Sequence, residues 1–327
     1  MNRTEFPRIT PEQAGVSSKA VMAFLDALEG GHTEMHGLVI MRHGCILTEG
    51  FWAPYARGQV HMCNSLTKTY MGTAIGIAIQ EGLLTLDTRL IDIYPEYAPE
   101  EPSGFLRKLT IYKMLHMGTG MLSFPPDDAD WVKNFVNHPI IEEPGTTFHY
   151  SSVNSTLLGK IIYRITGKNV YDYLNEKLFG KIGIDYDNLD CSRQPGGRDM
   201  WAWRTYSTTE DNLRLMKVYL DGGLVTYRTD AGEEFTERVL PEEFVKLATT
   251  SRIDNRPAEM IKNGEDPKTD GTSGYGFQMW MCKYPGAYRA DGASGQFSIV
   301  IPDKDMIIAM NQHSNHPEKS LECIWDV

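Results

Sequence analysis

The chain has 327 residues, of which 41% are hydrophobic and 23% charged, the balance of a soluble globular protein of one large domain or two. Its formal net charge of -11 leaves no basic excess to neutralise phosphates, which argues against nucleic acid or an anionic membrane surface as a partner. The segment Met1 to Thr10 is polar and lacks the apolar core of a secretory signal, and no apolar run approaches the ~20 residues of a spanning helix, so a cytoplasmic location is expected. The five cysteines are scattered with no Cys-x-x-Cys spacing, which points to free thiols rather than a zinc site or a disulfide scaffold.

In chain order, Val21, Phe24, Leu25 and Leu28 recur at helical spacing after Ser17-Ser18, and Gly30-Gly31 closes this first amphipathic helix. Leu38 to Met41 reads as a buried strand, Arg42-His43-Gly44 as a turn and Cys45 to Trp52 as the return strand of a hairpin. His32, Glu34 and His36 lack the spacing of a helical metal site, and no metal is expected.

His61 to Lys68 reads as a polar, strand-like approach into a helix that starts near Ser65 and runs to about Gln80, apolar nearly all round and therefore buried. Positions i and i+3 share a helix face, so the Ser65 hydroxyl and the Lys68 amine are predicted side by side. A hydroxyl becomes a good nucleophile when a neighbouring base takes its proton, and an amine in a low-dielectric pocket is drawn toward neutrality and suits that task. Free N–H groups at the helix start would stabilise an oxyanion. The competing reading of Ser-x-x-Lys by itself is a plain helix cap with a surface lysine.

Leu109 to Met117 is a short helix, and Met121 to Thr147 a long Pro- and Asp-rich segment of the kind that walls or covers sites. Tyr150 lies in a turn before a helix carrying Val153, Leu157, Leu158, Ile161 and Ile162, where it either points into a cleft or packs in the core. A helix over Val170 to Phe179 and a Gly-rich link at Gln194 to Gly197 follow. Trp201 and Trp203 are candidates for a pocket wall or for the core. Thr208 to Asp211 opens a helix closed by Gly222-Gly223, and Glu242 to Leu247 is one more. Arg252 to Gly274 is polar and predicted to be a loop. Four strands are expected at Tyr275 to Met281, Ala287 to Asp291, Gln296 to Ile301 and Met306 to Met310, as an antiparallel meander before a last helix from His316. That helix stops abruptly at Trp325-Asp326-Val327, which suggests that further sequence follows.

Strands at both chain ends and helices between them predict an α+β fold: one antiparallel sheet (residues 1–64 and 275–327) flanked by the terminal helices, with a mostly helical part (65–274) inserted. The catalytic groove would lie between the two parts.

The order of Ser65-Leu66-Thr67-Lys68, Pro144-Gly145-Thr146 leading into Tyr150-Ser151-Ser152, Tyr206 to Asp211 with its Gly222-Gly223 ending, and Gly292-Ala293-Ser294-Gly295-Gln296 resembles the serine β-lactamase and penicillin-binding-protein superfamily over nearly the whole chain. It looks most like the class C-type branch with its carboxylesterases, D-amino-acid peptidases and amide hydrolases. The resemblance implies a β-lactamase/transpeptidase-like fold, Ser65 as the acylated nucleophile, Lys68 as its proton acceptor and Tyr150 as second base or proton shuttle. It places the oxyanion hole at the Ser65 amide and one near Ala293, implies no cofactor, and puts Ser152, Asp291, Gly292 and Trp203 along the substrate groove.

Two departures stand out. Tyr-x-Asn becomes Tyr150-Ser151-Ser152, and Lys-Thr-Gly becomes Ala290-Asp291-Gly292. The amide and the cation that would hold a β-lactam are gone, unless Arg289 supplies the charge. Asp291 either attracts an amine or is a turn residue. The expected activity is hydrolysis of small neutral or cationic esters or amides through an acyl-enzyme. The alternatives are a D-amino-acid peptidase, amidase or weak β-lactamase on the same machinery, or a non-catalytic ligand-binding or sensor domain, against which the intact Ser65, Lys68 and Tyr150 set argues. No Gly-x-Ser-x-Gly elbow occurs, which disfavours an α/β-hydrolase. The oligomeric state stays open.

Overall fold

The computed structural model describes residues 5–31, 33–122, 130–189, 202, 204–229, 231–267 and 269–325. From the N-terminus run α1 (Ser18–Gly30), β1 (Glu34–Arg42), β2 (Cys45–Phe51), β3 (His61–Met62), α2 (Thr67–Gln80), α3 (Leu90–Ile93), α4 (Ile111–Leu115), α5 (Trp131–Asn137), α6 (Ser152–Thr166), α7 (Val170–Leu174) and α8 (Gly180–Ile182). The second half holds β4 (Tyr206–Ser207), α9 (Thr209–Leu220), β5 (Leu224–Arg228), β6 (Glu234–Arg238), α10 (Glu242–Ala248), α11 (Ala258–Lys262), β7 (Trp280–Met281), β8 (Tyr288–Gly292), β9 (Gln296–Ile301), β10 (Met306–His313) and α12 (Pro317–Trp325).

Strands from the two chain ends merge into one six-stranded antiparallel sheet, in the order β2-β1-β10-β9-β8-β7. Residues 34–42 pair with 306–313, so the N-terminal hairpin is sealed by the last strand. The two-residue alternation of the strands splits the core. Leu38, Ile40, Ile299 and Ile308 pack under α1 and α12 with Phe24, Leu28 and Leu321. Val39, Met41, Val300 and Ile307 face the helical region with α2, α6 and α9.

α2 is the central element of that region, with Thr67 through Ala78 all buried. Two glycines let neighbours come close. A Cβ on Gly76 would lie 2.6 Å from the Phe244 ring of α10, and one on Gly72 would lie 3.2 Å from Cβ of Gln278. α6 begins after a Ser151 cap, whose hydroxyl accepts from the Asn154 amide. α9 begins in the same way, with Thr208 accepting from the Asp211 amide.

The predicted strand Tyr275 to Met281 is corrected. Only Trp280–Met281 pairs with β8, because Gln278 turns out of extended geometry at φ 58. Its amide and side chain donate to the Leu115 carbonyl, its carbonyl accepts from Thr69 and its side-chain oxygen accepts from Ser155. These four bonds to α2, α4 and α6 replace a sheet ladder. A Cβ on Gly276 would sit 2.0 Å from the Ala248 carbonyl, which holds the segment against α10 as well. The long Met121 to Thr147 segment contains α5, the loop before Gly274 contains α11, and β5 and β6 form an outlying hairpin that no predicted element anticipated.

Candidate active site

The Ser65 turn is set by its approach. The Cys63 amide donates to the Thr205 carbonyl, tying the chain after β3 to the residue before β4. Asn64 then adopts a left-handed φ of 48, a conformation asparagine tolerates, and donates from Nδ2 to the Ala293 carbonyl at 2.8 Å. Ser65 therefore lies in a short 3₁₀ turn, Asn64–Leu66, which leads straight into α2 at Thr67. The predicted helix start is thus a tighter turn, but the three-residue spacing keeps its consequence. Lys68 Nζ lies 2.8 Å from Ser65 Oγ and donates also to the Ala202 carbonyl at 3.1 Å. Lys68 is 1% exposed, and burial pulls its amine down to about 7 against an upward pull from Asp291.

A buried polar knot underlies the turn. Asn212 of α9 accepts from Tyr70 and Ser207 and lies against the Cys63 thiol. Each of these groups is buried, so their mutual satisfaction fixes the Ser65 turn against α9.

Tyr150 arrives from the residue before the α6 cap. Its ring lies 4.9 Å from Lys68 Nζ. Burial pushes the phenol above its usual range, while hydrogen bonding with Ser65 draws it back. The structure brings together Ser65, Lys68 and Tyr150, which are as much as 85 positions apart in sequence.

The third wall is β8 and the turn after it. A Cβ on Gly292 would lie 2.1 Å from the Cys63 carbonyl oxygen and 3.1 Å from the Leu66 amide, so β8 runs against the Ser65 turn. Among the described residues, neither the Ser65 nor the Ala293 amide has a backbone acceptor. Asp291 is a strand residue opposite Phe297, which removes the turn reading. Its carboxylate pairs with Arg289, Nε to Oδ2 at 2.8 Å. Arg289 is 3% exposed and also donates to the carbonyls of Asp270 and Met281, so it offers no free cation in place of the absent strand lysine. Ser152 is half-buried in the first turn of α6. Trp201, Trp203, His32 and the Gln194 to Gly197 link lie outside the described residues.

Residue patterns did not single out the aromatic wall beside Tyr150. Trp280 stands 5.4 Å from the Tyr150 ring, with Phe148 and Tyr275 completing the cluster. Trp280 is 130 positions from Tyr150, and only the β7–β8 pairing brings it in. No cluster of metal-ligating side chains exists among the described residues, and no helix there is long and apolar enough to cross a membrane.

A sheet made from both chain ends, a helical insert and a Ser-x-x-Lys turn between them define the β-lactamase/transpeptidase-like fold. The family model Beta-lactamase matches residues 25–325, and the chain belongs to that family. It is 25% identical over 307 residues to Penicillin-binding protein 4 of Amycolatopsis lactamdurans, covering 81% of this chain and 75% of the relative. It is 24% identical over 258 residues to the 6-aminohexanoate-dimer hydrolase of Paenarthrobacter ureafaciens, covering 71% of this chain and 64% of that one. The solved structure of EstCE1, a hydrolase with promiscuous acyltransferase activity, superposes with a TM-score of 0.69 at 14% identity, covering 94% of this chain and 98% of that one.

Proposed function

We propose that this protein is a serine hydrolase that cleaves small, uncharged or cationic esters or amides through an acyl-enzyme on Ser65. The observation that carries the reading is the 2.8 Å contact between Ser65 Oγ and the buried Lys68 amine, drawn down to about 7. Near neutral pH a substantial fraction of that amine is neutral and able to accept the hydroxyl proton as Oγ attacks the carbonyl. Tyr150, held over Lys68, passes a proton to the leaving group. The amides of Ser65 and Ala293 hold the oxyanion, and water then releases the acyl group.

The missing strand cation, the serine at 152 and the closed Arg289–Asp291 pair disfavour a carboxylate-bearing β-lactam as the preferred substrate. The amide-cleaving name of the Paenarthrobacter relative supports an amidase as the second reading.

Incubation with a fluorophosphonate and with a fluorescent penicillin, followed by mapping of the adduct by mass spectrometry, tests the assignment with Ser65→Ala as control. The fluorophosphonate adduct is expected on Ser65 and is lost in the variant. Labelling that survives the substitution, or none at all, overturns the reading. A panel of p-nitrophenyl esters beside D-alanine amides then separates esterase from peptidase.

A further inference from the structure

We propose that Gln278 is a positioning residue: from a buried hairpin tip it bonds both to Thr69, next to Lys68 on α2, and to Ser155, in the first turn of α6 after Tyr150, and so sets the reach between the base and the proton shuttle. The inference rests on the hydrolase reading above and adds to it a residue that acts through others.

The tip is a hairpin turn of two residues. The Gly276 amide donates to the Met279 carbonyl at 2.9 Å and Tyr275 pairs with Trp280, which leaves Phe277 and Gln278 at the turn. Gln278 takes a φ of 58, a left-handed conformation that glycine adopts freely and a side chain strains. Strained backbone persists only where its surroundings hold it. Here the side chain is held as well as the main chain. The buried Gln278 side chain accepts from Ser155 Oγ at 2.6 Å and donates to the Leu115 carbonyl at 2.8 Å, while its backbone carbonyl accepts from Thr69 Oγ1 at 3.1 Å.

Each partner is one step from the proposed machinery. Thr69 follows Lys68 in α2, and a Cβ on Gly72, one turn after Lys68, would lie 3.2 Å from the Gln278 Cβ. Ser155 Oγ also stands 3.3 Å from the Ser151 carbonyl, which accepts the Ser155 amide, and Ser151 follows Tyr150. Leu115 ends α4, and just beyond it Met117 holds the chain on both sides of Tyr150. Its carbonyl accepts from the His149 amide at 2.9 Å and its sulfur from the Ser151 amide at 3.5 Å. The arms of the hairpin complete the frame, with Tyr275 at 6.2 Å and Trp280 at 5.4 Å from the Tyr150 ring. Apolar packing of α2 on α6 is non-directional, whereas the Gln278 bonds fix one helix against the other.

That placement matters at one step. As Ser65 Oγ bonds to the carbonyl carbon, its proton passes to Lys68. When the bond from that carbon to the leaving oxygen breaks, the electron pair stays on the oxygen and Tyr150 gives it a proton. The lysine then returns a proton to the phenolate. Ser65 and Lys68 lie three positions apart and keep their contact locally, but Tyr150 comes from another helix, with its ring 4.9 Å from Lys68 Nζ. Loosening Gln278 therefore costs the second transfer more than the first. A poor leaving group depends on that second proton, and a good one departs as an anion without it.

Hydrolysis of a series of phenyl esters of one small acid, from p-nitrophenyl to unsubstituted phenyl, tests this. The variants are Gln278→Gly, which keeps the left-handed backbone and removes the side chain, and Ser155→Ala, which removes one hydroxyl; thermal melting shows that each is folded. kcat/KM reports the steps through acylation, so slow release of the acyl group does not mask the effect. The ratio of kcat/KM for the p-nitrophenyl ester to that for the phenyl ester is expected to rise by about tenfold over wild type in Gln278→Gly and by about threefold in Ser155→Ala. A simple loss of folded enzyme lowers both esters alike and leaves the ratio in place. Where Gln278→Gly does not fold, Ser155→Ala decides. A wild-type ratio in folded Gln278→Gly, or in Ser155→Ala where that variant decides, overturns the proposal. Wild-type protein that hydrolyses none of these esters defeats the hydrolase reading itself, an outcome distinct from an unchanged ratio.

Discussion

Gly292 and Cys63 touch so closely that a single methyl on Gly292 would stand 2.1 Å from the Cys63 carbonyl oxygen. That carbonyl accepts the Leu66 amide, so it is part of the turn that presents Ser65. Gly292→Ala must push β8 and the turn apart, because both contacts are backbone. We expect a loss of about 1–3 kcal/mol in urea unfolding, the usual cost of overpacking. We also expect at least about a tenfold slower labelling of Ser65, since a misplaced nucleophile is costly. Wild-type labelling in a folded Gly292→Ala protein would show that β8 does not set the turn.

On the proposed mechanism the Lys68 amine, drawn down to about 7 by burial, must be neutral to accept the serine proton. The logarithm of kcat/KM for a p-nitrophenyl ester is therefore expected to climb with unit slope below about pH 7 and level above it. Lys68→Met removes a general base and should lower the plateau by about 10²–10⁴-fold and abolish the limb. A full limb in the variant would assign the titration to another group.

Tyr150→Phe keeps the ring that packs on Trp280 and removes the hydroxyl. Melting should shift little, whereas turnover should fall by about 10²–10³-fold through loss of the proton shuttle. Turnover within about twofold of wild type would limit Tyr150 to packing.

His61 and His116 are buried with both ring nitrogens lacking a partner among the described residues, and burial lowers each to about 4. The folded state holds them neutral, while the unfolded chain protonates them near the ordinary value of about 6.5. Between those two values the unfolded state binds more protons. Stability is therefore complete above about pH 6.5 and declines as pH falls toward 4, by at most about 1.4 kcal/mol per pH unit for each ring. Urea midpoints measured at pH 7 and pH 5 should separate, and His116→Phe should narrow the gap. An equal gap in that variant would remove His116 from the balance.

Much of the fold was legible because its signals are local. The Ser17 and Thr208 helix starts, the Gly-Gly stops and the continuous apolar run of Leu38 to Met41 each act within a few residues of where they occur. The strand predicted at Tyr275 failed because Gln278 is held by α2, α4 and α6, whose approach no local pattern records. The same reason hid Trp280, whose place beside Tyr150 follows from its pairing with Arg289 across β7 and β8.

Residue order alone determined the chemistry on offer: a serine three positions before a lysine at the entrance to an apolar helix, a tyrosine ahead of another helix, and a strand with Ala290 in place of a cation and Asp291 beside it. Tertiary structure decided what those groups are. Burial draws the Lys68 amine down to about 7. A 2.8 Å bond to Arg289 turned Asp291 from a free charge into half of a closed pair. Spacing along the chain sets which side chains share a face, as with Arg289 and Asp291 on β8, but the desolvation of Lys68 depends on atoms brought in from more than a hundred residues away, the Ala202 carbonyl among them.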